Sequence, residues 1–443
     1  MFLTKGNITI RNAVQQDAAT VCNWWNDGNV MAIAGFPNGL GTTVEKVAAQ
    51  IAEYTCEKSR LHIMEVDGKP IGELHYRNTG NGVAQIGIKI CDTTQQERGY
   101  GTTILQMFID ALFTYYGYRK IILDANLKNK RAQHVYEKKL GFTMLQINEN
   151  AWRDQLGQMQ GAIDYELCKE NWHINIDYVR IRVEQEADHY TTEEITREAH
   201  WEGNWDIEPC ITDTHLLVHK LRQCPSYVPE LHFIAEMDGK VVGHIVYATS
   251  KIVDENGKEH GMLTFGPLSV LPDYQSRGIG KALIRHSFRE AKLLGYRAVL
   301  IFGHPDYYPR VGFQPAANFK ITTAEGKNAD PFMAYPLYEG ALDGVHGRYH
   351  IDPVYEDSPS EEVIEFDKKF PPKELHIPVP ITILLDRLPA PAQKALDGLK
   401  HRSLKVMTTK SEREILALDG TDADTVEIIR VVMHENGLEW GKV

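Results

Sequence analysis

Gln96-Glu97-Arg98-Gly99-Tyr100-Gly101 returns later in the chain as Gln275-Ser276-Arg277-Gly278-Ile279-Gly280. Each stretch follows an apolar run, Ala84 to Ile90 or Leu263 to Leu271, the first of which alternates as a half-buried strand should. Each also opens a segment with an apolar helical face. Ile104, Leu105, Phe108 and Leu112 make that face in the first; Leu283, Ile284, Phe288, Ala291 and Leu294 make it in the second. A further apolar strand follows, Lys120 to Ala125 and Ala298 to Phe302. Strand, glycine turn, helix and strand in that order predict an α/β unit around a mixed central sheet. A glycine turn at a helix N-terminus presents successive N–H groups to an anion, and the helix dipole adds positive potential. A Walker A loop would need Gly-Lys-Ser/Thr after a four-residue gap, and a dinucleotide fingerprint a third glycine. Neither fits.

The two stretches belong to a duplication. ITIRNAVQQDA, around Arg11 and Asp17, returns as VRIRVEQEADH around Arg182 and Asp188, 171 residues on. HIMEVDGKPIGELHY (His62 to Tyr76) returns at the same offset as FIAEMDGKVVGHIVY (Phe233 to Tyr247), with seven of fifteen positions identical. The Asp-Gly dipeptides inside these stretches suit type I′ hairpins. LGF ending at Phe142 returns as VGF ending at Phe313, whereas the glycine loops are 179 apart. The second copy is therefore eight residues longer before its loop and eight shorter after it.

These offsets divide the chain into copy one (1–172), copy two (178–350), a Pro-rich, acidic and extended connection (351–390) and a small helical tail (391–443). In the tail, Thr421 or Asp422 is the expected N-cap of a helix that Gly437 ends. At 443 residues, with 43% hydrophobic and 24% charged content, each copy has ample core material. A net charge of −12 argues against a nucleic-acid binder. Cys22, Cys56, Cys91, Cys168, Cys210 and Cys224 form no C-x-x-C pair and read as free, mostly buried thiols of a reducing, cytoplasmic protein. With no apolar run of about 18 residues, no membrane span is expected. No metal-ligand spacing occurs, and no metal is expected.

The motifs around the loops carry a family resemblance. Q-x-x-G-x-G between strand and helix resembles the pyrophosphate loop of the GNAT acetyltransferase superfamily. Copy one adds Asn129-Lys130-Arg131-Ala132 and Tyr136-Glu137-Lys138-Lys139-Leu140-Gly141-Phe142, similar to the family's N-x-R-A…Y-E-K-x-G-F segment but with one extra lysine, so that the helix there must end differently. It resembles the RimJ/RimL and aminoglycoside-modifying branch. Copy two has Gly266-Pro267-Leu268-Ser269-Val270 before its loop and Gly303 to Phe313 after it, and continues through Phe366-Asp367 and Phe370-Pro371-Pro372. That is similar to the YhbS-like branch.

The resemblance implies two tandem GNAT domains, each an acetyl-CoA-dependent N-acetyltransferase unit acting on a primary amine of a small molecule or polypeptide. One copy could instead be a silent binding or dimer-forming module, which leaves room for a homodimer. Acetyl-CoA would pair with Ile88 and Ile90 or with Leu268 and Val270. Its pyrophosphate would rest on Gln96, Arg98, Gly99, Tyr100, Gly101 and Thr102, or on Gln275, Arg277, Gly278, Ile279, Gly280 and Lys281. Tyr136 and Tyr308 are the implied proton donors to the leaving thiolate. Tyr307 stands beside Tyr308, but Tyr308 has the spacing of four to Gly312. Asn129 either bonds the cofactor's pantetheine arm or caps its helix, and copy two offers only His304 and Asp306 in that region. Glu73, which follows Gly72 on a central strand, is the candidate base in copy one; because the position of many relatives' glutamate holds Gln85 here, a water-mediated base or none is the alternative, and His244, the counterpart of Glu73 in copy two, is either a base or a core histidine. Trp24-Trp25-Asn26-Asp27 either walls an acceptor pocket or packs in the core.

Overall fold

The computed structural model describes residues 1–54, 57–201, 212–373, 379–397, 404, 407 and 411–438. Copy one runs β1 (Phe2–Lys5), β2 (Ile8–Asn12), α1 (Ala18–Asn26), α2 (Gly28–Met31), α3 (Val44–Glu53), β3 (Ser59–Val66), β4 (Lys69–Gly80), β5 (Val83–Ile90), α4 (Tyr100–Thr114), β6 (Lys120–Asn126), α5 (Lys130–His134), β7 (Thr143–Arg153) and β8 (Met159–Cys168). Copy two runs β9 (Val179–Val183), α6 (His189–Ala199), α7 (Thr214–Leu221), β10 (Phe233–Met237), β11 (Lys240–Val253), β12 (Glu259–Val270), α8 (Ile279–Leu293) and β13 (Ala298–Phe302). The short strands β14 (Gln314–Pro315), β15 (Ile321–Thr322), β16 (Phe332–Pro336) and β17 (Gly347–His350) complete it.

The Asp-Gly pairs do what their chemistry predicts. Asp67 and Gly68 have φ of 52° and 74°, Asp238 and Gly239 of 49° and 76°, so both hairpins turn through two left-handed residues. The repeated Arg and Asp are paired in each copy. Arg11 holds Asp17 through two bonds of 2.7 and 2.8 Å, and Arg182 holds Asp188 through two of 2.6 and 2.8 Å. Each aspartate also accepts a main-chain N–H three residues upstream, which fixes the turn into α1 or α6. The eight extra residues of copy two lengthen the β11–β12 hairpin, whose far end pairs with β17.

β1 joins the two copies. It pairs antiparallel with β2 on one side and with β9 on the other, through Leu3↔Arg180 and Thr4↔Val179. The sheet therefore runs unbroken from β8 and β6 of copy one, through β1, to β12 and β13 of copy two. Successive strand residues face opposite sides. Leu3 enters the core under α4, while Phe2 enters the core of copy two and packs its ring, tilted, against His286 of α8 with centroids 4.2 Å apart. The two long helices accordingly lie on opposite faces of one sheet.

The stretch 351–390 is not extended throughout. It contains α9 (Ser360–Asp367) and α10 (Thr382–Leu385). Val363, Phe366 and Phe370 pack with Leu216 of α7, and Asp367 forms a bidentate pair with the buried Arg197 at 2.6 and 2.9 Å. Apolar spacing inside the acidic run gives α9 a face to bury, so the segment docks on copy two. The tail has α11 (Ala390–Asp397), α12 (Glu412–Leu416) and α13 (Ala423–Glu435), capped by Asp422 rather than Thr421. Its separate core already draws in Ile381, Leu384 and Leu385.

Candidate functional site

In copy one, β5 and β6 are parallel neighbours only from Val83↔Lys120 to Gln85↔Ile122. Beyond that they part: β5 continues to Ile90 alongside β4, and β6 continues to Asn126 alongside β8. Copy two has the same split, with β12 meeting β13 at Leu263↔Val299 alone. Each split opens at the C-terminal end of the strand that leads into the glycine loop.

The two loops have one geometry. Gln96 Nε2 donates to Ile90 O at 3.0 Å, and Gln275 Nε2 to Val270 O at 3.1 Å, pinning each loop to its strand. Glu97 and Ser276 take φ near 60°, then Gly99 and Gly278 take 82° and 81°, where a Cβ would be strained. No side chain caps α4 or α8. The first helical bonds run from Thr103 N to Gly99 O and from Ala282 N to Gly278 O, so the preceding amides stand ahead of the ladder. Both copies therefore present uncapped main-chain N–H groups at the start of the helix, an arrangement chemically suited to an anion.

Copy one brings most of its expected residues to one cavity of about 230 Å³, lined by Ile88, Ile90, Gly99, Gly101, Asn129 and Tyr136, with Thr102 beside them. Asn129 caps its helix, its Oδ1 accepting Ala132 N at 3.1 Å. Arg98 is exposed and Tyr100 packs on the core beneath, both on the loop but outside the cavity lining. Tyr136 is buried against Phe142 and Tyr165, and burial pushes its hydroxyl up to about 12. The extra lysine is absorbed here. Val135–Lys139 form a turn of π-helix, with Leu140 N bonding five residues back to Val135 O. Phe142 N then reaches Tyr136 O, as Phe313 N reaches Tyr308 O, so the two tyrosines are structural counterparts.

Glu73 lies on the strand beside this split and is buried. Its oxygens take Lys89 Nζ at 2.7 Å and Trp25 Nε1 at 2.9 Å. Trp25 thus both packs and reaches the site, whereas Trp24 packs on the α1–α3 core. Gln85 bonds Arg77 at the far end of the strand. Cys91, next to this pair, is pushed up to about 12 by burial and is a poor nucleophile. Cys22 is likewise buried and free, while Cys56 and Cys210 lie outside the described residues.

Copy two holds different chemistry in the same place. His244 is fully buried, 2.6 Å from Thr196 Oγ1 and 3.2 Å from His232 Nε2. Burial holds it well below the ordinary histidine value, so it is neutral. The network continues from Thr196 through Ser269 to His200 and, at its other end, from His232 to Glu184. Tyr308 is half-buried, packed against Phe265 and Phe313, and it is Tyr307 whose hydroxyl lies at the loop, where it would stand 3.0 Å from a Cβ on Gly280. The Ile279 side chain belongs to the core; Leu268 and Val270 are half-buried on β12. His304 and Asp306 are exposed. Arg277, Gly278 and Lys281 line a cleft between the copies.

Sequence reasoning missed the Trp25 and Lys89 partners of Glu73, which depend on cross-strand register, and the placement of Tyr307. Among the described residues no cluster of three or more metal-ligating side chains occurs, and no helix is long and apolar enough to cross a membrane.

Comparison with known proteins agrees with this geometry. Models of the acetyltransferase (GNAT) domain match residues 7–143 and 229–315, together about half of the chain. The Escherichia coli K12 protein YjhQ, named an uncharacterized N-acetyltransferase, is 38% identical over 104 residues, 24% of this chain and 57% of YjhQ. The chain thus spans little more than half the length of that relative. YhbS of the same strain, similarly named, is 28% identical over 136 residues, 30% of this chain and 79% of YhbS. A crystal structure of YhbS with CoA is 22% identical, with a TM-score of 0.35 over 42% of this chain and 96% of that one. With a GNAT match on each copy and a glycine loop at the mouth of a strand split in both, the chain belongs to the GNAT superfamily and carries its domain twice in tandem.

Proposed function

We propose that copy one transfers acetyl from acetyl-CoA to a primary amine of a small molecule or polypeptide. The observation that carries this reading is the single cavity that connects the Gly99–Thr102 loop to the Tyr136 hydroxyl along the unpaired end of β5. The loop amides take the pyrophosphate, and the edge of β5 near Ile88 and Ile90 pairs with the pantetheine amides. The neutral amine attacks the thioester carbonyl directly and the thiolate leaves. Tyr136, protonated across the neutral range, donates to that thiolate. Glu73 holds Lys89 and Trp25, so it orders the acceptor side and reaches the ammonium proton through water rather than by contact. The scattered free thiols fit a reducing cytosolic compartment.

Copy two binds a second acetyl-CoA on its own loop. A silent role for it is favoured by one observation: the counterpart of Glu73 is a neutral histidine with both ring nitrogens engaged inside the protein. Titration calorimetry counts the sites, and an amine panel tests turnover. Two acetyl-CoA sites per chain, with turnover lost on Tyr136→Phe and retained on Tyr308→Phe, support this division. Absence of acetyl-CoA binding overturns the whole reading, and turnover lost only on Tyr308→Phe reverses the roles of the copies.

A further inference from the structure

His75 of β4, Gly87 of β5 and Asp124 of β6 alternate with residues of the α4 core, so they share the opposite face of the sheet. The cavity of copy one, by contrast, is lined by Ile88, Ile90 and Tyr136. Coenzyme and acceptor therefore have separate approaches to the split, one from each face. The last paired residues of β5 and β6 are Gln85 and Ile122. In the continuation of that register Gly87 and Asp124 stand opposite each other across the opening. Gly87 has no side chain, and His75, its register partner on β4, takes the space. A Cβ on Gly87 would lie 2.4 Å from Cε1 and 3.0 Å from Nε2 of that ring. The imidazole thus lies over β5 where the split begins, and it is exposed on its outer side.

Neighbouring charges on this face are committed. Glu73 holds Lys89 and Trp25, Arg77 donates to Gln85, Lys120 pairs with Glu166, and Asp164 accepts from Gln146. Among the described residues His75 and Asp124 make no hydrogen bond or ion pair. The inner side of the ring lies against the strands. That desolvation, the largest influence, holds His75 below the ordinary histidine value; Lys89 and Arg77 push the same way, and Glu73 and Asp124 oppose them. A neutral imidazole near pH 7 is a competent base. Asp124 also acts on the Tyr136 hydroxyl, so base, carboxylate and proton donor converge on one opening.

The arrangement is not a requirement of the fold, because copy two lacks it. By the offsets of the duplication, His75, Gly87 and Asp124 correspond to Val246, Gly266 and Phe302. There Val246 packs with Tyr355, and Tyr355 is also the nearest side chain to a Cβ on Gly266, at 3.7 Å. The slot that holds an imidazole in copy one is closed by an aromatic ring in copy two.

We propose that His75 is the catalytic base of copy one, taking a proton from the acceptor ammonium at the mouth of the split while Asp124 holds that ammonium in reach. The inference rests on the acetyl-transfer reading above and names the acceptor for the proton that Glu73 reaches only through water. His75 takes one proton from the bound ammonium. The freed lone pair forms the C–N bond to the thioester carbon, the C–S bond breaks, and Tyr136 protonates the thiolate. The remaining surplus N–H proton returns to the Tyr136 phenolate through water and His75 releases its own to solvent, so one proton leaves per turnover.

The test is steady-state acetylation by the full chain across pH, with the best acceptor of the amine panel and with n-butylamine, alongside acetyl-CoA titration and melting temperature. In wild type, kcat/KM for the amine should rise through an apparent pKa below that of free histidine and then level off. His75→Gln should lower it about a hundredfold near neutrality, with the loss shrinking as pH approaches the amine's own pKa. Asp124→Asn should move the wild-type limb to lower pH, because a carboxylate that favours the imidazolium is gone. Added imidazole should restore part of the turnover of His75→Ala. Acetyl-CoA affinity and melting temperature should hold in all three variants, since none removes a hydrogen bond. A His75→Gln profile equal to that of wild type overturns the assignment. So does a loss of the same size at every pH without imidazole rescue, which makes His75 a structural residue. Absence of acetyl-CoA binding to wild type takes the transfer reading down as well, whereas binding with an unaltered profile removes the base alone.

Discussion

Tyr136→Phe is the substitution for which structure and mechanism predict opposite things. The ring is 7% exposed and fixed by Phe142 and Tyr165, both with centroids 5.9 Å away. No bond to the hydroxyl is among those of the described residues, so its removal strands no partner and leaves a void of one oxygen. Stability should therefore change by no more than about 0.5 kcal/mol, within the range of substitutions that disturb neither packing nor a network. A phenol that protonates a leaving thiolate, by contrast, contributes about 10²- to 10⁴-fold to turnover. The assay is steady-state acetylation of the best amine found, followed by free-thiol release, with the melting temperature of each variant taken in parallel. The expected result is a kcat lower by at least about a hundredfold at unchanged KM for acetyl-CoA, with an unchanged melt. Wild-type kcat in Tyr136→Phe refutes the proton-donor role. A fall in kcat matched by a drop of many degrees in melting temperature refutes the argument that the hydroxyl is structurally idle.

Other consequences are read by stability. Asp367→Asn leaves the Arg197 guanidinium, 1% exposed, without its carboxylate; a loss of about 3–5 kcal/mol is expected in the denaturant transition of copy two, and a loss under about 1 kcal/mol would show that the α9 anchor is dispensable. Phe2→Ala empties a ring site in the core of copy two from a strand that belongs to copy one. It should cost about 3–5 kcal/mol and separate the unfolding of the two copies in calorimetry, whereas a single unshifted transition would contradict coupling through β1. Gly278→Ala meets no atom within 4 Å, so the penalty is backbone strain of about 1 kcal/mol, read as a small melting shift with weaker acetyl-CoA binding at the second site alone. The Tyr136 phenol, raised from 10.0 to about 12 in the folded chain, contributes stability that is complete below pH 10 and lost as pH climbs to 12. Two units correspond to about 2–3 kcal/mol, and Tyr136→Phe should flatten that part of the alkaline melting profile.

Much of this was legible in the residues because local chemistry dictated it. Asp-Gly needs two left-handed residues and makes a hairpin wherever it falls between strands. Gly99 and Gly278 mark the turn by the same logic. The extra lysine after Tyr136 signalled that the helix must end differently, and a π-turn is how a helix keeps its anchor tyrosine and Phe142 in place while holding one more residue. What stayed hidden depends on register between distant strands. Glu73 is named by sequence, but its state is set by Lys89 across the ladder and Trp25 from another layer. The acidic stretch before α9 read as a connection because its charges outnumber its apolar residues, yet Val363, Phe366 and Phe370 suffice to dock it once α7 offers Leu216.

The duplication itself explains why the copies diverge. A strand pairing that joins them through β1 puts α4 and α8 on opposite faces of one sheet, so the two glycine loops cannot share surroundings. The loop of copy one adjoins a compact cavity closed by its own Asn129 helix, and the residues there stay close to the family pattern. The loop of copy two faces the other copy, lines the cleft with Arg277 and Lys281, and is followed after β13 by a 3-10 turn, Tyr308–Val311, where copy one has α5. At the strand position beside the split, copy one keeps an ion pair and copy two a neutral histidine network. These differences follow from position in the tandem sheet, so grafting Glu73 and Lys89 onto His244 and Ser269 would not by itself turn the second site into the first.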